Sequence, residues 1–163
     1  MNLEDVVGDT LVDLSTQTAI IREIRALGSP VVINARTDIY LAGIGDPATR
    51  FARTVERLNA YRDAGADCLF APGVRDAETI GALAREVRGP LNVLATVGTP
   101  PTRELQRLGV ARVSVGSGPA RAALGVVRRI AEELRDRGSY ELMLKGQIAY
   151  AEVNAMLLGR GHG

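Results

Sequence analysis

An α/β fold built on a parallel sheet is what this sequence predicts, and three observations carry that expectation. Four short segments, Val31–Ala35, Asp67–Ala71, Leu91–Thr96 and Ala111–Val115, are dominated by apolar residues. Such runs read as strands buried on both faces, the mark of a parallel sheet covered by helices. Longer amphipathic stretches with capping residues separate them. Glycines Gly28, Gly65, Gly89 and Gly109 end these stretches one to three residues before each strand. The rhythm of strand, helix, glycine and strand implies right-handed crossovers, in an open doubly wound sheet or a (β/α)8 barrel. Periodicity does not choose between the two.

The elements follow in order. Met1–Glu4 has the look of a strand end, and Asp13 to Ser15 caps a helix to about Leu27, where Ile20, Ile21, Ile24 and Leu27 share a face. Gly28 stops it, and the strand Val31–Ala35 follows. Asp46-Pro47 supplies an N-cap and a proline at the first helical position, opening a helix to about Ala64. After Gly65 comes the strand Asp67–Ala71; Asp76 caps a helix to Val87, and Gly89-Pro90 turns the chain into Leu91–Thr96. Thr102 caps a short helix ending at Gly109, and Ala111–Val115 is the last strand. Gly118-Pro119 opens a helix to about Arg137, and 140–158 reads as one or two more helices.

Four clear strands with Met1–Glu4 as a fifth are too few for a closed barrel, which needs eight and about 250 residues. The expected architecture is therefore a partial (β/α)8 barrel, about the last five βα units plus C-terminal helices, forming one domain over 1–163. A front portion is expected to be missing, since the chain begins where a strand is already half over. Such a partial sheet exposes strand edges and apolar side chains, so a homo-oligomer is expected.

Composition narrows the partners. The net charge is +1, from 20 basic and 19 acidic residues, so no nucleic-acid or membrane surface is indicated. Aromatic residues are 4% with no Trp, which also removes stacking platforms for single strands. No apolar run approaches the length of a membrane span. A single cysteine, Cys68, forms no disulfide within the chain, which suits a cytoplasmic location, and it reads as a small buried core residue. The sole histidine, His162, lies in the terminal Gly-Arg-Gly-His-Gly, so a histidine triad or multi-histidine metal site within the chain is excluded.

The most informative stretch is 30–38, Pro-Val-Val-Ile-Asn-Ala-Arg-Thr-Asp. Its apolar run gives way to Asn34, Arg36, Thr37 and Asp38 at the strand's C-terminal end, where α/β folds place their ligand crevice. An arginine there calls for an anion: its planar fork grips a carboxylate through two charge-assisted bonds of about 1.5–3 kcal/mol each. The competing role is a structural ion pair with Asp38 or Glu4. Adjacent Glu4 and Asp5 point to opposite faces of a strand, so only one enters a barrel. Ser114-Val-Gly-Ser-Gly-Pro119 has the form of a phosphate cup, though a plain glycine turn between strand and helix is the preferred reading. Met143, Met156 and the leucines of the last helices read as packing residues.

Several motifs occur in one order: Asn2-Leu-Glu-Asp5, Val32-Ile-Asn-Ala-Arg-Thr-Asp38, Ala64-Gly-Ala-Asp67, Phe70-Ala-Pro-Gly73, Pro90-Leu-Asn-Val93, and Leu108-Gly-Val-Ala-Arg-Val-Ser-Val-Gly116. Together they resemble the later part of the isocitrate lyase/phosphoenolpyruvate mutase superfamily, most closely its phosphonomutase-like branch. The resemblance implies a Mg2+-dependent barrel enzyme that cleaves or forms a C–C or P–C bond beside a 2-oxo acid, through an enolpyruvate-like anion. It implies that Arg36 contacts the substrate carboxylate and developing enolate, with Asn92 at a strand tip lining the same pocket. It also places Glu4 in the outer shell of the metal. As residue types, Asn34 and Asn92 read either as amides that orient a ligand by hydrogen bonds or, equally, as buried amides that tie loops together. The family's principal metal-binding aspartates lie upstream of the Leu-Glu-Asp motif, where this chain does not reach. Its catalytic loop, which often carries Lys, Cys and His, is replaced by Val6-Val-Gly-Asp-Thr-Leu-Val-Asp13. The implied substrate is a small anionic 2-oxo acid or phosphonate. Two other readings stand beside it: an inactive barrel fragment with an assembly role, and an unrelated phosphate-binding α/β protein.

Overall fold

The computed structural model describes residues 1–158, which form two compact units divided after Gly116. His162 lies outside the described residues. The first unit is a five-stranded parallel sheet with its helices. In chain order its elements are β1 (Asn2–Leu3), β2 (Val6–Val7), β3 (Thr10–Leu11), α1 (Leu14–Ala26), β4 (Asn34–Arg36), α2 (Pro47–Asp63), β5 (Cys68–Phe70), α3 (Ala77–Glu86), β6 (Leu91–Leu94), α4 (Thr102–Arg107) and β7 (Arg112–Ser114). The strand order is β1-β4-β5-β6-β7, every pair parallel, so the sheet grows in one direction as the chain advances. β2 and β3 form a separate antiparallel hairpin turning at Gly8, whose φ of 60° suits the absence of a Cβ.

Register decides which side chains share a face. One row runs Leu3–Ala35–Leu69–Leu91, and Val93 pairs with Val113 on the same side. These residues join Ile21, Leu58, Tyr61, Ile80, Leu83 and Leu105 of the helices in one apolar core. The opposite face carries the row Arg36–Phe70–Asn92–Arg112 and, one step earlier, Asn2–Asn34–Cys68. The strands are therefore apolar toward the helices and polar toward the other side. A parallel sheet with a polar face must put that face to use, because buried polar groups need partners.

Several boundaries differ from the sequence expectation. The ladder starts at Asn34 rather than Val31. Pro30 brings no N–H, and the Ile33 N–H donates to the Asp67 carboxylate at 2.7 Å instead of to a neighbouring strand. Val32 is consequently 56% exposed. On α1 the buried positions are Gln17, Thr18 and Ile21, while Leu27 faces solvent. Asp13 makes no capping hydrogen bond, whereas Asp46 accepts from the Ala48 N–H and Asp76 from the Thr79 N–H. Pro101, not Thr102, is the N-cap of α4. Cys68 is buried, as expected, but lies on the polar face, where its thiol donates to the Pro90 carbonyl at 3.3 Å.

The second unit contains α5 (Gly118–Arg137), α6 (Glu141–Leu144) and α7 (Tyr150–Leu158). Gly138, left-handed at φ 63°, ends α5. Glu133 then ties α5 to α6 by accepting from the Ser139 hydroxyl and the Glu141 and Leu142 N–H groups at 2.6, 2.9 and 2.8 Å. The expectation that Met143, Met156 and the late leucines pack is corrected here. Met143 is 44% exposed, Met156 52% and Leu158 81%. α6 is a single turn, and α7 is largely apolar with only Glu152 and Asn154 as polar residues, so neither separates a face to bury from one to hydrate.

Candidate active site

The polar face is organised around Arg36, at the C-terminal end of β4. Its Nε donates to Asp38 Oδ1 and its Nη1 to Glu4 Oε1, both at 2.8 Å. The guanidinium carbon lies 5.7 Å from the centroid of the Phe70 ring, the neighbour in the register row. Two carboxylates and an aromatic face thus hold one cation in a fixed plane. Nη2 makes no hydrogen bond among the described residues, and Arg36 lines a cavity of about 410 Å3. Two arginines, Arg36 and Arg112, are among the residues that line it, and no aspartate or glutamate is. Asn2, Phe70, Ser114 and Gly116 complete its polar and aromatic lining.

The other expected site residues divide clearly. Glu4 stands on the Arg36 side with its carboxylate half exposed. Asp5, the next residue, lies just past β1, is fully buried and bonds Arg57 and Tyr61 of α2. Asn34 and Asn92 are buried behind the cavity wall. The Asn34 amide donates to Asn2 Oδ1 at 2.6 Å, and the Asn92 amide to Ser114 Oγ at 3.0 Å, so each meets the cavity through a lining residue. Gly116 adopts φ 51° at the turn after β7, the conformation expected of a glycine turn.

Two features escaped sequence reasoning, Arg112 and the pair of Arg57 and Tyr61. Arg112 falls in the same register row as Arg36, and the signal was an arginine inside an otherwise apolar strand. The ion pair of Arg36 with Asp38 or Glu4 that the sequence offered as the competing role is present with both partners, and Asp38 is 4% exposed. Arg57 and Tyr61, one turn apart on α2, close around Asp5 at 2.8 and 2.6 Å. Burial and the Asp5 charge push the Tyr61 phenol well above its usual range, so it stays a donor. The Cys68 thiol is likewise pushed up by burial, which suits a structural rather than a nucleophilic cysteine.

Magnesium was implied by resemblance, and the donors present can be weighed against it. Among the described residues no group of three or more His, Cys, Asp or Glu side chains is placed to hold a metal. Glu4 is bound to Arg36, Asp38 is bound to Arg36, and Asp5 is bound to Arg57 and Tyr61. This octahedral ion needs more oxygen ligands than one half-exposed carboxylate supplies, so these residues do not by themselves build its site.

With the geometry described, similarity to known proteins is informative. The sequence matches the phosphoenolpyruvate phosphomutase family over residues 1–135. It is 34% identical over 158 residues to an uncharacterised protein of Mycobacterium tuberculosis, covering 97% of this chain and 58% of that protein. A crystal structure from Burkholderia cenocepacia J2315 described as a lyase/mutase superposes with a TM-score of 0.85 at 37% identity, over 96% of this chain and 58% of the other. Phosphonopyruvate hydrolase in complex with oxalate and Mg2+ superposes with a TM-score of 0.76 at 25% identity, over 97% and 58%. The chain spans a little over half the length of each of these relatives.

Proposed function

Because this chain belongs to the phosphoenolpyruvate phosphomutase family, we propose that it carries the anion-gripping part of a Mg2+-dependent lyase or phosphonomutase. In this reading its five-stranded sheet is the later portion of a (β/α)8 barrel, and the polar face is the barrel interior. The substrate is a small 2-oxo acid or phosphonate whose C–C or P–C bond is cleaved or formed through an enolpyruvate-like anion. An unrelated phosphate-binding protein is set aside by the family match.

The carrying observation is Arg36: held in plane by Asp38 and Glu4, it lines a cavity whose other lining residues include no carboxylate, and its Nη2 is uncommitted among the described residues. When the bond beside the 2-oxo group breaks, its electron pair moves into the adjacent carbonyl and leaves an enolate oxygen. A fixed guanidinium stabilises such growing charge better than mobile water, because its dipoles are already oriented. Arg36 takes the substrate carboxylate and the developing enolate oxygen, while Asn34 and Asn92 fix the lining residues Asn2 and Ser114. Bound Mg2+ would supply Lewis-acid chemistry, and of this chain's residues Glu4 is the carboxylate that resemblance assigns to its outer shell. The chain's own residues do not complete that site, and no step is assigned to it.

Oxalate has the planar carboxylate-beside-oxyanion shape of such an enolate. Calorimetric titration of the chain with oxalate, with and without Mg2+, should show binding that Arg36→Ala abolishes while cooperative unfolding persists. Unchanged affinity in Arg36→Ala would sink the assignment of Arg36, and a wild-type chain without affinity for oxalate would sink the reading. An assembly role is the second reading. It is favoured by the exposed apolar side chains of the second unit, Leu124, Val127, Leu144 and Leu157 among them, and it carries the expectation of a homo-oligomer.

A further inference from the structure

We propose that Asp5 is a positioning residue for Arg36, acting through the backbone and carboxylate of Asp38. The inference rests on the reading of Arg36 as the substrate grip, and deepens it by naming what aims that grip.

Asp5 lies just past β1 and is fully buried. Its Oδ2 accepts from Arg57 Nε at 2.8 Å and from the Tyr61 hydroxyl at 2.6 Å. Its Oδ1 accepts from the Asp38 N–H at 3.0 Å. Asp38 in turn accepts from Arg36 Nε through its own Oδ1 at 2.8 Å. One continuous path therefore runs from α2 through Asp5 and Asp38 to the guanidinium on the other face of the sheet. Arg57 extends it by donating from Nη2 to the Val12 carbonyl at 2.6 Å, which fixes the chain as it leaves the hairpin. Arg57 Cζ also lies 5.6 Å from the Tyr61 ring centroid, so the cation is held on two sides.

The chemistry of the path separates positioning from mere support. A buried ion pair is a poor way to add stability, because apolar residues of the same volume hold a helix to a sheet at no desolvation cost. What a carboxylate adds is direction. Asp5 can bind the Asp38 N–H only in one backbone orientation, and that orientation points the Asp38 side chain at Arg36. Without it, the Asp38 N–H loses its partner and the Asp38 carboxylate its aim, leaving Arg36 to the half-exposed Glu4 and the Phe70 ring. Asp5 neither lines the cavity nor bonds Arg36, so its hydrogen-bonded route to that side chain is Asp38.

The test reads Arg36 directly, by 1H–15N spectroscopy of arginine Nε–H groups in the intact chain. The signal is identified by its absence in Arg36→Lys. Arg25, whose Nε donates to the Gly65 carbonyl at 3.0 Å, is the internal reference. In Asp5→Asn the Arg36 Nε–H should exchange with water about tenfold faster while Arg25 keeps its rate, and Asp38→Ala should show the same signature. Oxalate affinity should fall by about tenfold, the usual scale for losing a group that orients a binding residue. Tyr61→Phe, which removes the hydroxyl's bonds to Asp5 and Arg57 and keeps the Asp5 charge, should give an intermediate change. It also serves as the deciding variant where Asp5→Asn fails to fold. A folded variant with unchanged Arg36 exchange overturns the proposal, and so does equal acceleration at Arg25, which would mean general loosening. If the wild-type chain binds no oxalate, the proposed function falls, while Arg36 exchange still decides the role of Asp5.

Discussion

Arg36 and Asp67 show two uses of a carboxylate at a strand end. Around Arg36, Glu4 and Asp38 define the plane of a cation. At the other end of the sheet, Asp67 accepts from the Ile33 N–H and from Arg25, supplying a partner where the ladder has none. The Ile33 hydrogen bond, with help from Arg25, holds the Asp67 carboxyl below its usual value. A carboxylate depressed in the folded state adds stability that is present above its unfolded pKa, near 4, and is lost as pH falls through the folded value. Asp67→Asn should therefore flatten the acid limb of a stability profile measured by urea unfolding below about pH 4. At neutral pH it should cost about 1 kcal/mol, kept small because the side chain is 43% exposed. An unaltered acid limb would remove Asp67 from the acid response.

At the level of elements, capping chemistry was readable and strand onset was not. Asp46-Pro47 and Asp76 predicted the starts of α2 and α3, and both aspartates accept a backbone N–H within the first turn. The same reasoning chose Asp13 for α1, which starts there without the side-chain bond. The comparison yields a prediction. Asp76→Ala should lower stability by about 1 kcal/mol in denaturant titration, whereas Asp13→Ala should be close to neutral. Equal costs at the two sites would show that capping bonds are not what distinguishes these helices. The strand at Val31 was misplaced for a physical reason: apolar runs report burial, but a ladder needs N–H and C=O partners on a neighbouring strand. The Ile33 carbonyl already accepts from the Cys68 N–H at 3.1 Å, but Asn34 is the first residue of the run whose N–H also reaches neighbouring backbone, at the Met1 carbonyl 2.9 Å away.

For the molecule as a whole, the exposed side chains of the second unit carry a consequence for the proposed assembly. Leu124 is 66% exposed, Val127 60% and Leu157 68%, within a unit whose described residues bury no apolar side chain. Apolar surface on this scale favours association. Sedimentation of the chain should give a dimer or larger species, and a monodisperse, cooperatively unfolding monomer would count against assembly. The fold class, the helix caps and the importance of 30–38 were legible in the residues because they depend on local chemistry: apolar periodicity, N-cap oxygens, and an arginine at a strand end. Motif order carried the family in the same way. Pairing across strands was not legible, since it joins residues dozens of positions apart. Tertiary structure alone put Arg112 in the row of Arg36, moved Asn34 and Asn92 behind the cavity wall, and sent Asp5 to Arg57 and Tyr61. Register and the pleat of the sheet decide such neighbours, and neither is written in any single segment of the chain.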